Sequence, residues 1–160
     1  MEHKKKIYAP GEALKKAADW CARQERCQQE VRDKLYSWGQ HEASVENIIA
    51  ELISGGYISE ERYAAAFARG KFRIKKWGRI KIKIELKKKK VSDVCIRKAL
   101  QEIDDAEYMR VLKKEVNDKW KSEKEKHPLK KKYKVMRYLI SRGFEPDLVS
   151  DAVSSLIKEE

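Results

Sequence analysis

The chain has 160 residues, 41% hydrophobic and 40% charged, with seven glycines and three prolines. That apolar share excludes wholesale disorder, and scarce chain breakers with abundant Lys, Glu, Ala and Leu exclude a turn-rich β protein and favour helices. Thirty-eight Lys and Arg against 26 Asp and Glu leave a net charge of +12, so a polyanion is the expected partner, nucleic acid ahead of an anionic membrane surface, with a merely solvated surface as the alternative to any partner and weightier than the membrane.

The first nine residues are basic and read as a loose extension, punctuated by Pro10-Gly11. A helix is expected from Glu12, with Leu14, Ala17, Ala18 and Cys21 on one face. A second runs from about Gln28 to the helix-stop Gly39, with Val31 and Leu35 four apart. Ser44 reads as the N-cap of a third, whose stripe is Val45, Ile48, Ile49, Leu52 and Ile53 before Gly55-Gly56. Ser59 caps a fourth, with Glu60 and Glu61 in the first turn, where the helix dipole favours acid. It carries Tyr63, Ala64, Phe67 and Ala68, then Phe72 and Ile74, before a turn at Trp77-Gly78.

The next segment pulls two ways. Ile80, Ile82, Ile84 and Leu86 alternate with Lys81, Lys83 and Glu85, a strand pattern by itself. Ser92-Asp93 then caps a helix with Ile96, Ala99, Leu100 and Ile103 inward. A seventh helix runs from about Asp104 into the 120s on Met109, Leu112, Val116 and Trp120, and Ser122 to His127 is a fraying stretch. Pro128 opens an eighth helix. There Leu129, Tyr133, Met136 and Ile140 form a helical stripe, with Val135 and Leu139 alongside. Arg142-Gly143-Phe144 ends it, and Pro146 starts a last helix with Leu148, Val149, Ala152, Val153 and Leu156.

Nine helices invite a search for repeats. Leu35, Leu86 and Leu139 serve as anchors. Val31, Ile82 and Val135 lie four residues before them. Ile96 and Val149 follow by ten residues in the second and third units, with Leu100 and Val153 four further on. Ile48 and Leu52 are the first unit's counterparts, displaced by three. Turns fall in matching places at Gly39, Lys90 and Gly143. This register overrides the strand pattern, because Ile82–Leu86 fills the slot of two helical segments and a lone strand would leave its backbone groups unpaired.

Charge is segregated along the chain. Residues 71–90 hold Lys71, Arg73, Lys75, Lys76, Arg79, Lys81, Lys83, Lys87, Lys88, Lys89 and Lys90 against Glu85 alone. Residues 119–137 add nine basic side chains, including Lys130, Lys131, Lys132 and Lys134, against Glu123 and Glu125. Residues 41–61 carry five acids and no Lys or Arg. Clustering of this kind suits contacts to successive phosphates, because counterion release scales with their number. No zinc spacing, heptad or RNA-recognition signature points to base reading. Trp77, beside the cluster, either packs into a helix junction, the favoured reading, or stacks a base.

Catalytic signals are missing. His3, His41 and His127 have no metal-ligand spacing, and Cys21 and Cys27 are six apart, off a helical pair. No phosphate-binding glycine loop occurs, and Glu60-Glu61 and Asp104-Asp105 sit where helix capping explains them. No cofactor or metal is expected, and the chain reads as a binding protein rather than an enzyme. An odd count of three cysteines and no apolar leader or membrane-length stretch suggest a cytoplasmic protein with reduced thiols.

Two segments carry a family resemblance. Residues 56–64, Gly-Tyr-Ile-Ser-Glu-Glu-Arg-Tyr-Ala, resemble the Gly-aromatic/Leu-aliphatic-Asp-Asp-x-x-aromatic-Ala motif of the RecX family of recombination regulators. Gly78, Ile82, Glu85 and Leu86 match its Gly-x-x-x-Ile-x-x-Glu-Leu motif. The helix from Ile96 to Leu100 and Arg142-Gly143-Phe144 are similar to later family features. Ser59-Glu60 departs where two acids are common, and Lys90 departs where Gly is common.

The resemblance spans about residues 13–156. It implies an all-α protein of three tandem three-helix repeats in an elongated, curved array, divided here as a basic extension (1–11) and repeats at 12–58, 59–103 and 104–160. It further implies a cytoplasmic monomer that binds RecA filaments on DNA, single- or double-stranded, and mainly inhibits recombinase, ATPase and co-protease activity. The basic residues named above are the expected DNA- and RecA-binding set. A general nucleic-acid-binding helical protein and a helical-repeat adaptor between proteins are the alternatives.

Overall fold

The computed structural model describes residues 6–159. Those residues form nine α-helices and no strand: α1 (Pro10–Arg23), α2 (Gln28–Ser37), α3 (Glu42–Ser54), α4 (Glu60–Arg73), α5 (Arg79–Lys88), α6 (Asp93–Gln101), α7 (Asp105–Ser122), α8 (Pro128–Ser141) and α9 (Pro146–Glu159). They pack in consecutive threes, α1–α3, α4–α6 and α7–α9. The accessible surface is 10463 Å², whereas a compact protein of this mass exposes about 8,300 Å². The excess is the cost of setting three small units in series.

The isoleucine-rich middle segment is helix α5. Its alternation resolves into two faces: Ile82 and Leu86 are fully buried, while Ile80 and Ile84, also four apart, are 41% and 48% exposed. A helix tolerates this sequence because only one of every four residues must face the core.

The repeat recurs in the backbone. After each anchor leucine the helix closes with the same pair of bonds: Gly39 N–H to Tyr36 O and Gln40 N–H to Leu35 O, Lys90 N–H to Lys87 O and Val91 N–H to Leu86 O, Gly143 N–H to Ile140 O and Phe144 N–H to Leu139 O. All three turns need left-handed backbone, with φ of 80° at Gly39, 60° at Lys90 and 96° at Gly143. The middle unit thus holds a lysine in a conformation glycine adopts freely.

Several helix starts follow local chemistry. The side chains of Ser59, Ser92 and Asp104 accept the N–H of Arg62, Cys95 and Glu107, and the Cys27 thiol accepts that of Glu30. Three expectations are corrected. α1 starts at Pro10, whose missing N–H costs nothing in a first turn. The N-cap of α3 is His41, and the Ser44 hydroxyl instead donates to Gln40 Oε1. Residues 1–5 lie outside the described residues, but the end of the extension is not loose: Tyr8 N–H donates to Trp38 O, and Gln40 Nε2 donates to Tyr8 O. Glu60 and Glu61 stand in the first turn of α4 as expected, and the Glu60 carboxylate also accepts the Ser92 N–H at 2.8 Å, at the start of α6.

Packing is uneven between units. The first has its own core around Val31, Leu35, Val45 and Leu52. The second and third share one, threaded by a column of rings: Phe72 stacks on Tyr108 at 5.6 Å, and Tyr108 meets Phe144 at 5.4 Å. Beside it the backbones touch. Gly78 N–H donates to Arg142 O at 2.8 Å and Ile80 N–H to Gly143 O at 2.9 Å. A Cβ on Gly78 would lie 2.3 Å from Gly143 backbone atoms, so this contact requires glycine. Around it, Arg79 pairs with Glu145 at 3.1 Å and Asp105 at 2.9 Å. Tyr108 accepts the Arg79 N–H and donates its hydroxyl to Glu145 at 2.5 Å. Burial, then that carboxylate, pushes the Tyr108 hydroxyl well above its ordinary pKa.

Candidate nucleic-acid interface

The basic residues nominated from sequence fall on separate surfaces. Lys71, on the last turn of α4, Lys75, in the following loop, and Lys89, capping α5, line a cleft of about 620 Å³ where the first and second units meet. Lys83 and Lys87, four apart on α5, line a second cleft of about 430 Å³ against α6, together with Arg79 and with Arg97 of α6. Exposed Ile80 and Ile84 lie on α5 between its two basic edges. Lys76 occupies left-handed backbone, φ 57°, in the α4–α5 loop, and exposed Lys90 holds the α5–α6 turn. The α8 set is remote in the chain and sits on the third unit: Lys130 is exposed, Lys131 lies over the Trp120 ring at 4.2 Å, and Lys132 is half-buried.

Not all of these charges are available. Arg79 is committed to the junction just described. Arg73 pairs with Glu107 at 3.7 Å, Lys87 with Asp93 at 3.8 Å, Lys88 with Glu85 at 3.0 Å and Lys134 with Glu125 at 3.1 Å. The Lys134 ammonium, with the His127 N–H, holds the Glu125 carboxyl below its ordinary pKa. Apart from the Arg79 pairs, these ion pairs are largely exposed and weak, on the order of 0–1 kcal/mol each, so a phosphate can displace the carboxylate at small cost. Lys71, Lys75, Lys83, Lys89 and Arg97 make no ion pair among the described residues. Arg97 was missed from sequence because it stands seven residues beyond the run of lysines and joins Lys83 only when α6 folds against α5.

Trp77 packs in the helix junction, half-buried, its ring edge-on to Phe67 at 6.3 Å, with Lys71 and Lys81 ammonium groups 4.9 and 4.5 Å from its centre. The α8 stripe is a correction. Leu129, Tyr133 and Ile140 are 54%, 56% and 39% exposed, and the core takes Val135 and Leu139 instead. Ile74, expected on the inner face of α4, caps it and is 78% exposed at the first cleft. The free thiols of Cys21 and Cys27 are buried, and burial raises the pKa of both. Among the described residues no group of three metal-ligating side chains converges, and no helix is long and apolar enough to cross a membrane.

Comparison with known proteins matches three family models in chain order: the first three-helix domain of RecX over residues 13–52, the second over 59–100 and the third over 105–153. The chain is 31% identical over 139 residues to the regulatory protein RecX of Clostridium perfringens strain SM101, covering 84% of this chain and 64% of the relative. It is 27% identical over 147 residues to that of Prosthecochloris aestuarii, covering 91% and 93%. The chain spans less than two thirds of the length of the first relatives it matches. The crystal structure of RecX from Lactobacillus salivarius superposes with a TM-score of 0.82 at 24% identity, over 92% of this chain and 96% of that one, and shows a common fold. Three domain models in the right order, on the helix triplets described above, place this chain in the RecX family of regulatory proteins.

Proposed function

We propose that this chain is a cytoplasmic regulator that binds RecA recombinase filaments and the DNA within them, acts as a monomer, and mainly lowers recombinase, ATPase and co-protease activity. Family membership supports the regulatory part, and the family resemblance supplies RecA. The observation that carries the binding part is the pair of clefts on the two sides of α5. Each offers cations that make no ion pair among the described residues, Lys71, Lys75 and Lys89 on one side and Lys83 and Arg97 on the other. Phosphate contacts of this kind supply affinity without sequence preference. The exposed apolar residues beside them, Ile80 and Ile84, and Leu129 and Tyr133 on α8, are the kind of groups that set lifetime in a protein contact.

The test follows RecA ATPase on single-stranded DNA while this protein is titrated at substoichiometric ratios. Inhibition well below one copy per RecA supports the reading. Equal affinity for naked DNA and filaments, with no change in ATPase, would replace it by general nucleic-acid binding. Salt-insensitive behaviour with no polyanion binding would leave a protein adaptor.

A further inference from the structure

The cleft between the first and second units has a composition that phosphate binding alone does not require. Its wall is apolar: Tyr63, Phe67, Ile74 and Trp77. Three lysines, Lys71, Lys75 and Lys89, stand around it. Each of its acids has a cation beside it, Glu25 Oε1 with Arg62 at 2.9 Å, Glu30 with Arg26 at 3.6 Å and Glu85 with Lys88 at 3.0 Å, although Glu25 Oε2 is buried without a hydrogen-bond partner among the described residues, whereas the three lysines make no ion pair among the described residues. The site therefore presents an excess of available positive charge over aromatic surface.

Lys71 lies 5.4 Å from the centre of Phe67 and 4.9 Å from that of Trp77, and Lys81 covers Trp77 at 4.5 Å. These ammonium groups lie against the rings. A phosphate attracts a lysine more strongly than a ring does, and its departure bares the π-face. Ile74 at the lip, 78% exposed, adds apolar surface that nothing among the described residues covers.

We infer that this cleft stacks an unpaired nucleobase on the face of Trp77, against Phe67 inclined beside it, while Lys71, Lys75 and Lys89 hold the flanking phosphates. The inference rests on the nucleic-acid reading above and narrows it. Duplex DNA, whose bases are already stacked, is excluded from this subsite, so the cleft selects single strands. Base identity is not read, because every base offers a π-face.

The test separates base from backbone. Binding of a fluorescent oligothymidylate is compared with that of an abasic strand of equal length and phosphate count, for the unaltered chain, Trp77→Leu and Phe67→Leu. The unaltered chain should hold the base-bearing strand on the order of ten-fold more tightly. Each variant should lose most of that ratio while keeping its affinity for the abasic strand. Lys71→Met should weaken both strands alike. Circular dichroism and melting check that each variant folds. Equal binding of both strands by the unaltered chain overturns the inference and leaves the electrostatic reading standing. So does a ratio unchanged in both folded ring variants. Failure of both strands to bind overturns both readings.

Discussion

Replacing Gly143 with Ala strikes the junction that makes one core of the second and third units. Two costs add. At φ 96° an L-residue is strained, by about 1–2 kcal/mol. The new Cβ would also lie 2.3 Å from Lys81 Cβ and 2.6 Å from its backbone N, forcing α5 away from the α8–α9 turn. That movement weakens the Gly78–Arg142 and Ile80–Gly143 backbone bonds, whose net worth is about 0.5–1.5 kcal/mol each. The sum is about 2–5 kcal/mol, and its middle corresponds to a melting temperature lower by about 7–14 °C for a chain of this size. Two companions separate the causes in urea or thermal unfolding. Gly56→Ala meets open space at φ 77° and should show the strain alone. Gly78→Ala carries no φ strain, at −78°, but meets Gly143 backbone at 2.3 Å and should show the displacement alone. Should Gly143→Ala prove no more costly than Gly56→Ala, the close approach does not hold the units together and the reasoning fails.

Lys90→Gly relieves left-handed backbone at an exposed turn and should raise stability by about 0.5–1 kcal/mol in urea melts, because the strain removed exceeds glycine's added entropy in the unfolded chain. Stability should fall as pH rises past 10. Burial holds Tyr63 and Tyr108 above the ordinary value of 10.0 in the folded state, so the unfolded chain loses those protons first. The fall is up to about 1.4 kcal/mol per pH unit for each tyrosine. Unfolding of Tyr108→Phe between pH 9 and 11 should show a lower starting point and a shallower fall; an equally steep fall would mean the hydroxyl titrates freely. Reversing Lys83, Lys87 and Arg97 to Glu should weaken DNA binding and reduce the slope of log affinity against log salt by about 2–3, since each lost phosphate contact removes roughly 0.7–0.9. An unchanged slope would take the α5–α6 cleft out of the interface.

Some of this protein was determined by sequence alone. Helix caps, stops and the three-fold register are local properties: Ser59, Ser92, Gly39 and Gly143 act on backbone within a few residues, and the anchor leucines at matching offsets outweigh the alternating isoleucines of α5. The concentration of positive charge was equally legible. Which side of a helix meets the core was not, when two apolar stripes compete on it. On α8 the row Leu129, Tyr133, Met136, Ile140 has the better helical spacing, yet of it only Met136 packs against the core, while Val135 and Leu139 are fully buried. The choice depends on the volume α7 and α9 leave between them, which no window along α8 contains. The same holds for the charges. A run of lysines in sequence became two clefts and a set of internal pairs, because a helix turns consecutive residues by about 100° and because Arg97, Glu145 and Asp105 approach α5 only through tertiary packing. Sequence counted the cations; the fold decided which of them remain available to a partner.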